Sequence, residues 1–495
     1  MGHGYMKKLY LALLVQLALI AVTAPAMAIT YNLRADRTTI TMPDGQIVPV
    51  WGFANDTAGA ANFGVVTVPG PQLNVPTGGT LVINLVNNLP VPVSLVIPGQ
   101  RIVPNAAPPA ATNYDPSVPA LNIPQNPFFP IPTQAISPIS RVRSFTTEAA
   151  ASGGTAVYNF GAVRNGTFVY ESGTNPALQI PMGLSGALVV GPGAGIAGAA
   201  YPATATNPNT SYDRDRVLLF SEILARYDFT LNKFVTLNED VDINSRKTPL
   251  PYPLTITAQN EVKSTLDYQP LYYMINGKSY PDTIEPQPVS AALGAPTVPG
   301  IYAPYGAAGR TLLRMVNAGV KNRVPTIQGS YRDNSDLVNI NLAKPQAIYP
   351  LTIAEDGNLY TYAKQEFAPI LPAGKTMDVM LDLRNAGYPG YYTLYDRTLG
   401  LTNAGKFPGG SLTFLASWDP AVQDCSPFKG DLSGDGRVDG RDALLALQAF
   451  VFNGYYAAGN ITPLNNGLPC GESKTALTLS DAFIILQKAI GLNPY

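Results

Sequence analysis

Histidine is all but missing from this chain: the single one, His3, lies ahead of a segment built for removal. A folded protein without imidazole cannot assemble a metal centre that needs several of them. Charge is scarce as well. Asp, Glu, Lys and Arg make up 13% of 495 residues with a formal net charge of −1, so no nucleic-acid partner is expected. Cysteine occurs twice, at Cys425 and Cys470, both near the C-terminus. In an oxidising compartment the first expectation is one disulfide between them, which would stabilise a small terminal module by about 4 kcal/mol. Free thiols and an intermolecular bridge are the alternatives.

Long apolar runs are missing too, with one exception. From Met6 the chain reads as a secretory leader: Lys7 and Lys8, an apolar run from Leu9 to Val22, then Ala26-Met27-Ala28 as a small-residue cleavage site. The run is interrupted by Gln16, followed by Pro25 and short for a spanning helix, so no transmembrane segment is expected in the mature chain. His3 precedes Met6, and the true start is either Met1 or Met6. Removal of residues 1–28 leaves 30 basic against 33 acidic residues, a net charge of −3. The expected location is extracellular, cell-surface or periplasmic.

What is abundant is turn and strand material. Gly (45) and Pro (46) accompany an apolar fraction of 46%, which is too high for disorder. Short β-branched runs alternate with turns, as in Thr38-Thr39-Ile40-Thr41, Pro43-Asp44-Gly45, Ile47-Val48-Pro49-Val50-Trp51 and Leu81-Val82-Ile83-Asn84-Leu85-Val86. A Pro-rich insert over 98–140 breaks the pattern and contains Phe128, Phe129, Ile131 and Ile136. The Gly, Ala and Pro content of 196–212 marks a linker. The expected organisation is a leader (1–28), a β domain (29–195), the linker, a second β domain (213–420) and a small module (421–495) with helices over Asp442–Phe450 and Ser480–Ile490.

Six blocks in order carry a family resemblance. They are Gly78-Gly79-Thr80-Leu81-Val82-Ile83 with Val86-Asn87-Asn88-Leu89-Pro90; Gly166-Thr167-Phe168-Val169-Tyr170 with Met182-Gly183-Leu184-Ser185-Gly186; Met274-Ile275-Asn276-Gly277; Leu313-Arg314-Met315-Val316-Asn317-Ala318-Gly319; Ile353-Ala354-Glu355-Asp356-Gly357; and Leu371-Pro372-Ala373-Gly374-Lys375-Thr376. Residues 30–415 thereby resemble multicopper oxidases. The resemblance implies a mainly β protein with two cupredoxin-like Greek-key β-barrels in tandem, followed by a small α-helical dockerin-like module. Its ligand pattern is not kept: the family's first histidine pair falls on Val96 and Pro98, and its second on Glu171 and Gly173. No copper is expected. Met182, Met274 and Met377 read as core filler, and Glu171 as an exposed or locally paired acid.

The segment 431–442 carries intact metal chemistry. Calcium takes six to eight oxygens, and Asp431, Ser433, Asp435, Asp439 and Asp442 stand at positions 1, 3, 5, 9 and 12, with the Arg437 carbonyl at position 7 and Gly436 at the sharp turn. Aspartate at position 12, leading straight into a helix, resembles the first half of a dockerin. A weak repeat sets 438–445 against 477–484, although Cys470 and Lys474 leave the second copy without calcium ligands.

The leading expectation is an exported non-catalytic scaffold or binding protein with a calcium-binding attachment tail. The alternative is an exported enzyme, an oxidoreductase by family or a carboxylate-based glycan-active hydrolase. A protein partner is expected at the dockerin-like module or the Pro-rich insert, either a cohesin, which the resemblance implies, or a second copy.

Overall fold

The computed structural model describes residues 28–103, 112–113, 140–141, 144–191, 198–202, 210–223, 225–228, 233–236, 270–284, 286–288, 297–304, 309–328, 350–382, 390–418, 430, 432, 438–452 and 477–492. Among them no helix is long and apolar enough to cross a membrane.

The first β sandwich comprises β1 (Ala28–Thr41), β2 (Ile47–Asn55), β3 (Val66–Thr67), β4 (Leu73–Val75), β5 (Thr80–Asn87), β6 (Gly154–Ala162), β7 (Gly166–Glu171) and β8 (Ser185–Val190). One sheet has the order β3-β2-β1-β5-β6, the other β4-β8-β7. The turn around Asp44 and Gly45 closes the β1-β2 hairpin at Thr41 opposite Ile47, with Gly45 at φ +81°. β5 shows how the sequence builds its strand: every second residue, Leu81, Ile83, Leu85 and Asn87, turns inward. Leu81, Ile83 and Leu85 join Leu33, Trp51, Phe53, Tyr158, Phe168 and Tyr170 in one core.

The second sandwich comprises β9 (Arg214–Ile223), β10 (Tyr272–Ile275), β11 (Ile301–Pro304), β12 (Arg310–Asn317), β13 (Pro325–Ile327), β14 (Pro350–Glu355), β15 (Asn358–Gln365), β16 (Thr376–Asp382), β17 (Gly390–Asp396) and β18 (Leu412–Trp418). Its sheets run β10-β9-β12-β16-β14-β15 and β11-β18-β17-β13. β12 is buried along its whole length. Leu313 and Met315 face the sandwich core, whereas Val316 joins Val169, Ala187 and Val189 of the first sandwich. A strand covered on both faces needs no polar side, which explains the near-continuous apolar run there.

One residue in that run breaks the rule. Arg314 is fully buried, its Nε 2.7 Å from Asp215 Oδ2, its Nη1 3.2 Å from Thr167 Oγ1 and its Nη2 3.2 Å from Tyr212 OH. Thr167 donates to Asp378 Oδ1 at 2.6 Å, and Tyr201 donates to Asp378 Oδ2 at 2.5 Å. Burial alone would lower the guanidinium's pKa; the charges of Asp378 and Asp215 reverse this and hold it above its usual value. The expected linker takes part in this contact. Gly198–Ala199 pairs with Ser211–Tyr212, and Tyr201 and Tyr212 pack on Leu312, Ile353 and Met380, so the described part of 196–212 covers the second sandwich.

The two sandwiches share a detailed internal correspondence. β1 pairs with β5 in parallel, as β9 does with β12. Each edge of this unit ends in an asparagine: Asn87 Nδ2 donates to the carbonyl four residues on, Val91, and its Oδ1 accepts from Leu89 N. Asn317 makes the same two bonds to Lys321 and Gly319. Six residues further, Val93 bridges Ala149 and Arg323 bridges Leu371; three further still, Val96 faces Glu171 and Thr326 faces Tyr395.

The terminal helices are α1 (Gly440–Val451) and α2 (Leu479–Ala489), close to the expected spans. They pack through Ala443, Ala446, Ala449, Ala482 and Ile485. Both start with a capping box, Asp439 with Asp442 and Thr478 with Asp481, which satisfies backbone N–H groups that a helix start leaves free. The matching caps supply a structural counterpart to the sequence repeat. The mainly β class with a small helical C-terminal piece is as expected.

Candidate metal centres

The four positions that the resemblance assigns to copper ligands fall at one pole of the first sandwich, and the structure brings the two pairs together. Val96 N donates to Glu171 O at 2.9 Å and Glu171 N donates back to Val96 O at 3.0 Å. Positions 96 and 171 therefore stand opposite each other, as a ligand cluster would require. Their chemistry does not fit copper. Val96 and Pro98 offer no donor, and Glu171 is the sole ionisable side chain of the four.

Position 173 is also filled. A Cβ on Gly173 would lie 2.7 Å from Val96 Cγ1 and 2.9 Å from Ser94 Oγ. Ser94 itself contacts Ser144 Oγ at 2.9 Å, and Thr174 Oγ1 lies 3.0 Å from both hydroxyls and from Glu148 Oε1. Ser94, Ser144 and Thr174 are all buried. The family resemblance flagged the neighbours of this cluster but not the cluster, whose members come from three distant stretches of chain.

Glu171 departs from the expectation of an exposed or locally paired acid. It is half-buried at the end of β7, and burial pushes its carboxyl up to about 7 from an ordinary 4.5. The folded state therefore favours the protonated form. Its stabilising contribution is complete at pH values below the unfolded pKa and is lost as pH rises through about 7, a change of about 3 kcal/mol. Chemical denaturation across that range should show stability falling with rising pH, and Glu171→Gln should flatten that portion of the profile. An unchanged slope in the variant would assign the dependence elsewhere.

The corresponding pole of the second sandwich is charged. Arg323 pairs with Glu222 and, at 3.0 Å, with Asp396, and all three side chains are 0% exposed. Glu222 Oε1 accepts from Val320 N (2.5 Å) and Lys321 N (3.0 Å). Asp396 accepts from the Val324 and Thr398 backbone and from Thr398 Oγ1. The Tyr273 ring lies 5.0 Å from the guanidinium. Every carboxylate oxygen is occupied by a donor, so this is a closed structural cluster with no open ligand position.

Of the proposed calcium ligands, Asp431, Ser433, Asp435 and Arg437 lie outside the described residues, as do Cys425, Cys470 and Phe128, Phe129, Ile131 and Ile136 of the Pro-rich insert. Asp439 and Asp442 are described. Asp442 is buried; its Oδ1 accepts from Leu432 N and its Oδ2 from Asp439 N, both at 2.9 Å. Position 12 thus already reaches back to positions 2 and 9. Among the described residues no group of three His, Cys, Asp or Glu could hold a metal. Met182, Met274 and Met377 are each 1% exposed, in keeping with core filling.

No protein-family model matches this chain. No curated protein matches it either. Solved structures similar to it include a blue copper oxidase from Nitrosomonas europaea, at 17% identity and TM-score 0.47, covering 79% of this chain and 86% of that one. A laccase from Botrytis aclada is similar at 18% identity and TM-score 0.45, with 81% and 54% covered. A copper nitrite reductase from Nitrosomonas europaea is similar at 16% and 0.42, with 79% and 96% covered.

Proposed function

We propose that this chain is an exported, non-catalytic scaffold or binding protein: two copper-free cupredoxin-like barrels joined to a calcium-binding, dockerin-like attachment tail. The observation that carries the reading is the pole of the first sandwich, where Val96, Pro98, Glu171 and Gly173 supply no imidazole and position 173 leaves no space for one. The leader-like segment 1–28 supports export, with two charged residues followed by an apolar run.

The tail reading draws on the repeated capping boxes and on Asp439 and Asp442, which suit a hard cation through their carboxylates. Calcium held by Asp431, Ser433, Asp435, the Arg437 carbonyl, Asp439 and Asp442 would neutralise the loop's acids and fix the start of α1. The two helices also leave Leu444, Leu447, Val451, Phe483, Leu486 and Ile490 exposed, at positions that correspond in the repeat. That surface supports attachment to a protein partner, either a cohesin or a second copy.

Metal analysis of the purified full chain, together with a phenol-oxidation assay, tests the scaffold reading. The expected result is no stoichiometric copper and no oxidation; either one present would end it. For the tail, calcium at 100 times its dissociation constant should stabilise the terminal module by about 2.7 kcal/mol. Asp435→Ala should remove that gain, and indifference of the full chain to calcium and chelator would show that the loop serves only to cap α1.

One observation favours a second reading, an exported carboxylate-based hydrolase: Glu171 titrates near neutrality, where a general acid works best. Hydrolysis of a chromogenic glycoside that Glu171→Gln abolishes would establish it.

A further inference from the structure

The hydroxyl cluster beside the vacated positions joins three chain segments that are far apart in sequence. Ser94 lies beyond β5, Ser144 ahead of β6 and Thr174 beyond β7. Each hydroxyl has one proton, and each proton has a place. Ser144 donates to Thr146 O at 2.8 Å, Thr174 donates to Glu148 Oε1 at 3.0 Å, and Ser94 donates to Ser144 Oγ at 2.9 Å. Backbone bonds tighten the same junction: Thr174 N donates to Ser172 Oγ at 3.1 Å and Phe145 N to Gly173 O at 2.9 Å. Ser172 Oγ in turn donates to Gln179 Oε1 at 2.5 Å, and Gln179 Nε2 donates to Pro92 O at 2.8 Å. A buried polar group costs little only when it is satisfied in this way.

The second sandwich provides an internal control. There Arg397 N donates to Val324 O at 2.9 Å, as Gly173 N does to Ser94 O at 3.4 Å, so position 397 is the counterpart of 173. Arg397 carries a long exposed side chain. The backbone at this point of the fold therefore tolerates a side chain, and what forbids one at 173 is the local packing of Ser94 and Val96.

We infer that the pole of the first sandwich is sealed: Ser94, held by its contacts with Ser144 and Thr174, takes the space that a ligand at position 173 would need, and the hydroxyl knot ties the two segments that a metal would otherwise have joined to a third. The knot and a side chain at 173 exclude each other. Restoring histidine at the four vacated positions then fails to restore a copper site, because the fourth histidine must first expel Ser94 from its hydrogen bonds. This inference rests on the proposed loss of copper ligands but is tested apart from it. Copper in the wild-type chain would overturn the loss, whatever the variants do.

Two measurements on the full chain test the sealed pole. The first is copper content, after dialysis against chelator, of the variant carrying Val96→His, Pro98→His, Glu171→His and Gly173→His. The expected result is less than one copper per chain; one or more, with the wild-type melting temperature kept, overturns the inference. The second needs no histidine variant to fold. In a double-mutant cycle, Gly173→Ala lowers the melting temperature in the wild-type background and lowers it distinctly less when Ser94→Ala and Val96→Ala have already opened the space. Equal losses in the two backgrounds overturn it.

Discussion

Arg323→Met should destabilise the chain by about 3–5 kcal/mol at neutral pH, because it leaves two buried carboxylates without their cation. Glu222 and Asp396 are both fully buried, and the backbone N–H groups that serve them satisfy hydrogen bonding without supplying a full charge. The pH dependence distinguishes this cause from a simple packing loss. In the variant the two acids face each other unneutralised, which raises their folded-state pKa above the unfolded value. Stability is then regained as pH falls and lost again as it rises, on top of the slope that Glu171 gives wild type. Adding Glu222→Gln and Asp396→Asn should recover much of the loss at neutral pH, since neutral amides need no counter-ion. Denaturant unfolding of the three proteins at two pH values decides it; a pH-independent loss, with no rescue by the amides, would mean that Arg323 matters for its volume alone.

The second large effect belongs to Arg314. Arg314→Met should also cost about 3–5 kcal/mol, since Asp215 and Asp378 stay buried without their guanidinium. Its particular consequence lies between the sandwiches. Thr167 comes from β7 of the first and Asp378 from β16 of the second, and Arg314 contacts both. A double-mutant cycle with Thr167→Val and Asp378→Asn should give a coupling energy of about 1–3 kcal/mol. Loss of Arg314 should also separate one unfolding transition into two, observed by calorimetry as the first and second sandwich melting apart. Strict additivity and a single transition in Arg314→Met would place the coupling in the apolar contacts of Val169, Val189 and Val316 instead.

These two arginines show where sequence reasoning stops. The strands were legible because alternation is local: β5 announces its buried face within eight residues, and the Asp44-Gly45 turn announces the hairpin. The terminal helices were legible for the same reason, through residue patterns that repeat within a few turns. Arg323, by contrast, meets partners 101 and 73 residues away, so nothing near it in sequence tells a buried cation from a solvated one. The vacated pole divided along the same line. Val96, Pro98, Glu171 and Gly173 could be named from a motif, but the reason Gly173 must stay small is Ser94, which reaches the site only through the fold. Glu171 was misjudged because strand alternation loses its meaning at a strand end, where burial depends on what the neighbouring segments bring.

The paired asparagines carry a consequence for how this chain tolerates change. Asn87 and Asn317 each use both ends of one amide to hold a turn, donating to one backbone carbonyl and accepting from one backbone N–H. Aspartate would lose the donor, glutamine would overreach, and alanine would leave both turn ends unserved. A saturation-mutagenesis map should therefore show two narrow, nearly invariant columns in equivalent places of the two halves, although the poles a few residues away carry entirely different chemistries. The bonding of the turn is shared by both halves; what each half carries at its tip is not.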